Sequence, residues 1–330
     1  MKSCRPSNGG RSRAGGGRAA AHPIGWTKAP ANVLRRGPVP ARPGAAPRGL
    51  VNMEGREMEA RQAQTRLIGE LARHPGLAIA VSGGIDSMTL AFVAHRFAAG
   101  PVRMVHALSP AVPPLASARV DAYAAREGWD LARVEAGEFA DPNYFANPVN
   151  RCYFCKVNLY DRIAGIADGP IASGANLDDL GDYRPGLLAA TEHRVVHPFV
   201  AAGIDKGTIR ALARHHGLAG LAELPAQPCL ASRVETGIGI DSADLLFIDK
   251  VETLLRDALR PGATVRCRIT HDGVAVEIGE GDGSLPASLH DTLAALCAEG
   301  GRSFRGVRPY RRGAAFLGAP AATNGDPARP

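Results

Sequence analysis

The clearest chemical signal in the chain is one run of six residues, Ser82-Gly83-Gly84-Ile85-Asp86-Ser87. An apolar run over residues 77–81 precedes it, and a helix-like run over residues 88–97 follows. Two glycines after a strand let backbone amides approach an anion, and the next helix offers unpaired N–H groups and its positive dipole end. The serine hydroxyls add donors. A Gly-Gly pair alone is typical of a tight turn, but in this strand-turn-helix context the run predicts a phosphate-binding loop. It has no Walker lysine.

Cysteine spacing gives the second signal. Cys152 and Cys155 form a Cys-x-x-Cys pair, which in a zinc site would need a second pair that this sequence lacks. The available third thiol is Cys229, and the neighbouring Arg233 would lower its pKa if the two side chains meet. Three thiolates can hold an iron–sulfur cluster with one iron left unligated by protein, which can bind an extra sulfide.

A polar block at residues 173–186 follows an apolar run that predicts a short strand at residues 170–173. Asp, Asn and Gly are also what ordinary turns use. If that strand and the strand at residues 77–81 are parallel, their carboxyl ends share one sheet edge, where ligands bind. We therefore assign Asn176, Asp182 and Arg184 to adenosine, substrate or Mg²⁺ contacts, with Asp86 as a metal or phosphate-side residue.

The elements that must position these residues alternate between helix-like and apolar runs from residue 58 to about 222. That rhythm predicts an α/β, Rossmann-like domain with a parallel sheet over residues 58–236. Residues 237–312 predict a smaller α+β domain, with a long helix at 242–259, a hairpin at 265–278 around Asp272-Gly273 and a helix at 286–299. Residues 313–330 are expected to be disordered.

Charge distribution argues against a nucleic-acid surface. The formal charge is +7, but residues 1–53 hold ten Lys/Arg and no acid, which leaves 29 basic and 32 acidic residues in the remainder. Residues 1–57 are expected to be a disordered basic leader or a mis-assigned start, with Met53 or Met58 as the true one. No apolar run is long enough for a membrane span, and a cytoplasmic location is expected.

The loop resembles that of the PP-loop ATP pyrophosphatases, and several blocks in order resemble the LarE-type sulfur transferases of nickel-pincer cofactor synthesis. These blocks are residues 80–87, 147–156, 174–186, 206–218, 229–233 and 265–278. The resemblance implies that ATP, with Mg²⁺, adenylates a carboxylate of pyridinium-3,5-biscarboxylic acid mononucleotide. A sulfur nucleophile then displaces AMP and leaves a thiocarboxylate.

The resemblance also implies roles for residues. Asp86 and Cys229 are catalytic, and the nucleotide lies on Ser82, Gly83, Gly84, Ile85, Asp86, Ser87, Asn176, Asp182 and Arg184. The substrate-binding residues are Ser232, Arg233, Arg266, Arg268 and Glu277. Of these, Arg266 and Arg268 bind the substrate phosphate. In one family form the cysteine at position 229 is sacrificed. In the other it joins two more in holding a [4Fe-4S] cluster, and Cys152 and Cys155 favour that form. A sulfide donor and a homo-oligomer are implied.

Two alternatives remain open at this stage. Another PP-loop ligase, such as an NAD synthase, an argininosuccinate or asparagine synthetase, or a nitrile-forming deazapurine enzyme, would use an amine and not need Cys229. A tRNA-thiolating enzyme would need a basic groove, for which the acidic remainder of the chain gives no sign. Cys267, on the strand face opposite Arg266 and Arg268, is expected to be a core thiol.

Overall fold

A computed structural model describes residues 53–181 and 184–311. The expectations for residues 1–52 and 312–330, and for Asp182, lie outside the described residues. The helices are α1 Met53–Leu71, α2 Ile85–Phe97, α3 Pro114–Glu127, α4 Pro142–Phe145, α5 Arg151–Ala164, α6 Pro185–Glu192, α7 Pro198–Ala201, α8 Lys206–His215, α9 Ala219–Ala222, α10 Ser242–Ala258 and α11 Ala287–Glu299. The strands are β1 Leu77–Ala80, β2 Val102–Leu108, β3 Asp130–Glu135, β4 Ile171–Ala172, β5 Val265–Thr270, β6 Gly273–Ile278 and β7 Phe304–Pro309.

The first sheet has four strands in the order β3-β2-β1-β4, and every pair is parallel. Side chains of β1 alternate between two apolar cores, with Leu77 and Ile79 on one face and Ala78 on the other. A parallel sheet covered by helices on both faces buries its strands in this way. This confirms the mixed α/β class and a Rossmann-like architecture for the PP-loop part of the chain.

A second sheet has the order β5-β6-β7. Strands β5 and β6 form the predicted antiparallel hairpin, and β7 adds to β6 in parallel. Helices α10 and α11 contribute to its apolar core, which includes the buried Cys267, as expected. Division of the chain at residue 236 into two domains stays a prediction.

Two strands escaped the sequence-based prediction, for the same physical reason. Strand β3 is at the edge of its sheet and has no fully buried residue, and β7 is mostly exposed. Their apolar periodicity is weak because neither strand has a fully buried face. Helix α1 begins at Met53, so residues 53–57, expected to belong to the disordered leader, are helical.

Asn147 ties the start of α5 to the segment that enters the second sheet. It is fully buried with a left-handed φ of 52°, and its amide Nδ2 donates to the carbonyls of Glu235 and Ile238 at 2.8 Å each. Its own carbonyl accepts from Gly237 at 3.0 Å, and its Oδ1 accepts from the buried Arg151. One side chain therefore holds two distant segments in register.

A buried ion pair anchors α10 to the turn before the second sheet. Arg233 donates to both carboxylate oxygens of Glu252, at 2.8 and 2.9 Å, and Glu252 also accepts from the Cys267 amide and from Arg256. Burial acts to raise the pKa of Glu252, but the hydrogen bonds and charge of Arg233 outweigh it and lower that pKa. Breaking one half of such a pair leaves a buried charge without compensation.

Within the described residues, no helix has the combination of length and apolar content that a membrane crossing requires.

We expect Asn147→Ala to lower the free energy of unfolding by about 2–3 kcal/mol, because the carbonyls of Glu235 and Ile238 and the buried Arg151 each lose a hydrogen bond. Urea unfolding followed by circular dichroism measures the change. Asn143→Ala, an exposed neighbour on α4, serves as the matched control and should change stability by less than about 0.5 kcal/mol. Equal stability of the two variants would contradict the proposed role of Asn147.

Glu252→Gln should cost about 3–5 kcal/mol at pH 7. The folded-state pKa of Glu252 lies below its unfolded value near 4.5, so the carboxylate stabilises the fold above that pH. This contribution is lost as the pH falls through the folded-state pKa. Unfolding curves from pH 7 to pH 3 should therefore show the difference between wild type and variant shrinking, whereas the exposed Glu299→Gln should track wild type throughout.

Candidate active site at the carboxyl edge of the parallel sheet

The loop after β1 can be built only with glycine at position 83. Gly83 has a φ of +76°, and a Cβ there would lie 2.5 Å from the carbonyl oxygen of Ala116 on α3. Gly84 caps α2 without a side chain, so no side-chain oxygen takes up the first N–H groups of the helix. The amides of Ile85 and Asp86 are therefore positioned to bind an anion.

The two loop serines hold this conformation from inside. The Ser87 hydroxyl accepts from the Ser82 amide at 3.0 Å, lies 3.1 Å from the Ser82 hydroxyl and donates to the Gly84 carbonyl at 3.3 Å. Ser87 is buried and so acts as a structural brace of the loop. The loop is thus pre-organised before any ligand arrives.

Asp86 has a cationic partner that the sequence did not reveal. Lys206, at the start of α8, places its Nζ 2.5 Å from Asp86 Oδ2, and the Asn176 amide lies 3.4 Å from Oδ1. Asp86 and Lys206 are 120 residues apart in the chain. The only local signal at Lys206 is its place next to Asp205, which caps α8.

The polar block after β4 lies beside the loop, as predicted. A Cβ on Gly174 would come within 2.7 Å of the Ser87 nitrogen, so the two backbones are in close contact. The backbone N–H of Asn176 donates to the Asp179 carboxylate at 3.1 Å. Arg184 forms an ion pair with the same carboxylate at 2.8 Å. The residues assigned to the nucleotide therefore meet at one edge, with Asp182 outside the described residues.

Cys152 and Cys155 lie three residues apart on α5 and so share one helix face. Burial, and then the electrostatic effect of the nearby Cys229, raise the pKa of Cys152. Burial raises the pKa of Cys155 to about 12, although the charge of Lys156 opposes this, and Cys229 adds to the increase. The three thiols therefore lie within electrostatic range of one another.

The described residues nevertheless contain no group of three or more histidine, cysteine, aspartate or glutamate side chains arranged to hold a metal ion. The donor set itself suits an iron–sulfur cluster, because three soft thiols come from one helix face and one loop. The three predicted cysteines thus lie within electrostatic range of one another, but their side chains are not arranged as a preformed metal site.

Cys229 is exposed and directly precedes a 3-10 turn at Leu230–Arg233. Besides Glu252, Arg233 donates to the carbonyls of Pro228 and Cys229, at 2.7 and 3.1 Å. The guanidinium therefore positions the backbone that carries the thiol. Its predicted contact with substrate stays a prediction, because its hydrogen bonds go to protein groups.

The two arginines of β5 differ in their partners. Arg268 is buried, with bonds of 2.8 Å to Glu277 and to the Ser232 carbonyl. Arg266 donates to the carbonyls of Val265 and Ala226 and has no carboxylate partner among the described residues. Burial, and then the charge of Arg233, lower the pKa of Arg266. The predicted contact of the pair with the substrate phosphate stays a prediction.

No protein-family model matches the chain. It is similar to the uncharacterized protein slr1717 of Synechocystis, with 37% identity over 195 residues, 58% of this chain and 71% of the relative. It is 25% identical over 201 residues to the uncharacterized protein MJ0830 of Methanocaldococcus jannaschii, covering 60% of this chain and 76% of that one.

A third relative carries a functional name. Over 219 residues the chain is 26% identical to the pyridinium-3,5-bisthiocarboxylic acid mononucleotide synthase of Lactiplantibacillus plantarum, covering 65% of this chain and 78% of that one. This distant relationship supports the LarE-type resemblance seen in the motifs. The 37% identity shared with slr1717, over 71% of that relative, shows that the chain belongs to the same protein family as slr1717.

Proposed function

We propose that the protein is an ATP-dependent sulfur transferase that adenylates a substrate carboxylate and replaces AMP with sulfur. The substrate we propose is pyridinium-3,5-biscarboxylic acid mononucleotide, the product a thiocarboxylate and the pathway the synthesis of the nickel-pincer cofactor. The relative from Lactiplantibacillus plantarum supports this assignment through its name. We propose that the present protein acts on a small nucleotide and receives sulfide from a separate donor. We expect it to be a cytoplasmic homo-oligomer.

The observation that carries the proposal is that three thiols lie within electrostatic range of one another, near a pre-organised phosphate loop. Burial raises the pKa of Cys152, and the charge of Arg184, which follows the Asn176 block, opposes that increase, so the block adjoins both the loop and the cysteines. A ligase that uses ammonia or an amine has no need for three thiols at this place. Sulfur chemistry accounts for them.

In the proposed reaction the phosphates of ATP lie against the first turn of α2, and the substrate carboxylate attacks the α phosphate. Lys206 and the loop amides stabilise charge on the departing pyrophosphate. Asp86 supplies a carboxylate oxygen for the Mg²⁺ that accompanies ATP, a ligand type that Mg²⁺ prefers. Asn176 holds that carboxylate on its other side at 3.4 Å.

Sulfur is then delivered to the acyl adenylate from the side of Cys229, which is exposed. Cys152, Cys155 and Cys229 would hold a [4Fe-4S] cluster, which when bound supplies sulfide. Arg233 keeps the Cys229 backbone in place, and Arg266 binds the phosphate of the substrate. Arg268, with Glu277 and Ser232, braces the strand from which Arg266 projects.

The proposal is tested by incubating anaerobically purified protein with ATP, Mg²⁺ and the biscarboxylated nucleotide, followed by mass spectrometry. We expect AMP, pyrophosphate and a nucleotide in which sulfur has replaced oxygen. Cys229→Ser should abolish the sulfur product, whereas Cys297→Ala, which removes a buried thiol of the second core, should keep it. A Cys229→Ser variant that makes product at the wild-type rate would refute sulfur transfer. Loss of sulfur from Cys229 after one turnover would identify the cysteine itself as the donor.

Lys206→Met tests the charge arrangement at the loop. Without its cation, the Asp86 carboxylate repels the phosphates, and we expect the KM for ATP to rise about tenfold or more. Stability should change little, because the pair is partly exposed. The exposed Lys250→Met on α10 is the matched control. An unchanged KM for ATP in the Lys206 variant would remove Lys206 from the site.

A further inference from the structure

Arg119 on α3 connects the phosphate loop to the segment that carries Cys229. Its Nη1 donates to the Gly83 carbonyl at 2.7 Å and lies 3.4 Å from the Gln227 side-chain oxygen. Gly83 is in the loop, and Gln227 is two residues before Cys229. One guanidinium therefore touches both halves of the candidate active site, and Arg119 and Gln227 are 108 residues apart in the chain.

This guanidinium has no carboxylate partner among the described residues. It is partly buried, and burial lowers its pKa. Its Nε and Nη2 make no hydrogen bond within the described part of the chain, so three of its five N–H donors remain for a ligand. A partly buried cation with spare donors and no counter-charge is suited to bind an anion.

The contact also sets the direction in which the loop presents its amides. In a trans peptide the carbonyl and the N–H point in opposite directions. Because Arg119 holds the Gly83 carbonyl toward α3, the following N–H, that of Gly84, faces the side on which Ser82 and Ser87 lie. The loop has no lysine of its own for phosphate, and Arg119 brings a cation to it from the neighbouring helix.

The segment at residues 225–229 is exposed, and arginines from three elements hold it. Arg266 of β5 donates to the Ala226 carbonyl, Arg119 of α3 reaches Gln227, and Arg233 donates to the carbonyls of Pro228 and Cys229. The charge of Arg233 is balanced by the Glu252 carboxylate. Arg119 and Arg266 form no ion pair with a carboxylate among the described residues. An anion bound by the Arg119 guanidinium would therefore affect its contact with Gln227, and through it the position of Cys229.

We propose that Arg119 binds the pyrophosphate part of the nucleotide and, through Gln227, couples its presence to the placement of Cys229. The inference rests on the proposed function, because it takes pyrophosphate as the loop's ligand. Arg119 would then act as a phosphate-binding residue and Gln227 as a positioning residue. Cys229 would be brought into place only when the carboxylate is being activated, which protects the sulfur from unproductive reaction.

The first arm of the test measures the affinity for inorganic pyrophosphate by calorimetry with the full-length chain. Arg119→Gln should weaken binding about 10- to 100-fold, because a charged, multiply bonded contact is lost. Arg126→Gln, on the exposed part of the same helix, is the matched control and should bind as wild type. Equal affinity in Arg119→Gln and wild type would overturn the proposal.

The second arm measures hydrogen exchange of the peptide that covers residues 226–231, with and without pyrophosphate. In wild type we expect pyrophosphate to slow this exchange. Gln227→Ala should bind pyrophosphate as wild type does but lose the slowing. Arg119→Lys should keep part of the affinity and also lose the slowing, since a point charge cannot span the anion and Gln227 as the planar fork can.

The outcomes separate this inference from the proposed function. If wild type makes the sulfur product but its segment exchanges at the same rate with and without pyrophosphate, the coupling is refuted and the function stands. If Gln227→Ala keeps the slowing, the coupling through Gln227 is refuted. If wild type binds neither pyrophosphate nor ATP, both proposals fail.

Discussion

Close backbone contact at the carboxyl end of β1 is the constraint on which the rest of the site depends. At Gly83 the loop touches the backbone of α3, and at Gly174 the segment after β4 touches the start of α2. A side chain at either position would overlap backbone atoms that cannot move aside. The two glycines thus bring three segments together so tightly that Asp86, Asn176 and the loop amides share one small volume. The contact fixes Asp86, and with it the positions from which Lys206 and Asn176 reach that carboxylate.

The charges around this point are mostly set in pairs, and the exceptions are informative. Asp86 is matched by Lys206, Asp179 by Arg184, Glu252 by Arg233 and Glu277 by Arg268. The two buried pairs, Glu252 with Arg233 and Glu277 with Arg268, fix geometry and contribute less to stability than their Coulomb attraction suggests. Arg119 and Arg266 have no acid of their own in the described chain, and both donate to the segment before Cys229. These two guanidinium groups are therefore available for the two anions of the proposed reaction, the pyrophosphate of ATP and the phosphate of the substrate.

The sequence could predict those features whose physical causes are local. Strand, glycines and helix are contiguous around Ser82, and the hairpin at β5 and β6 turns on adjacent residues, so both were predicted. Parallel pairing of β1 and β4 followed from the α/β rhythm. Lys206 and Arg119 were missed because each acts on a residue more than a hundred positions away. The three cysteines were recognisable by type and spacing, but only the fold shows that Cys229 lies within reach of the charges of the other two.

Strand β7 has a consequence for how the molecule avoids edge-to-edge pairing of its second sheet. It forms the outer edge of the second sheet, next to the buried β6, and an open edge strand is a template for pairing with another chain. Its sequence discourages such pairing: Arg305 and Arg308 place charge along it, Gly306 has a φ of +90°, and Pro309 removes an N–H donor. The mostly exposed β7 thus covers the edge of the buried β6 and keeps the β6 backbone from pairing with a neighbouring molecule.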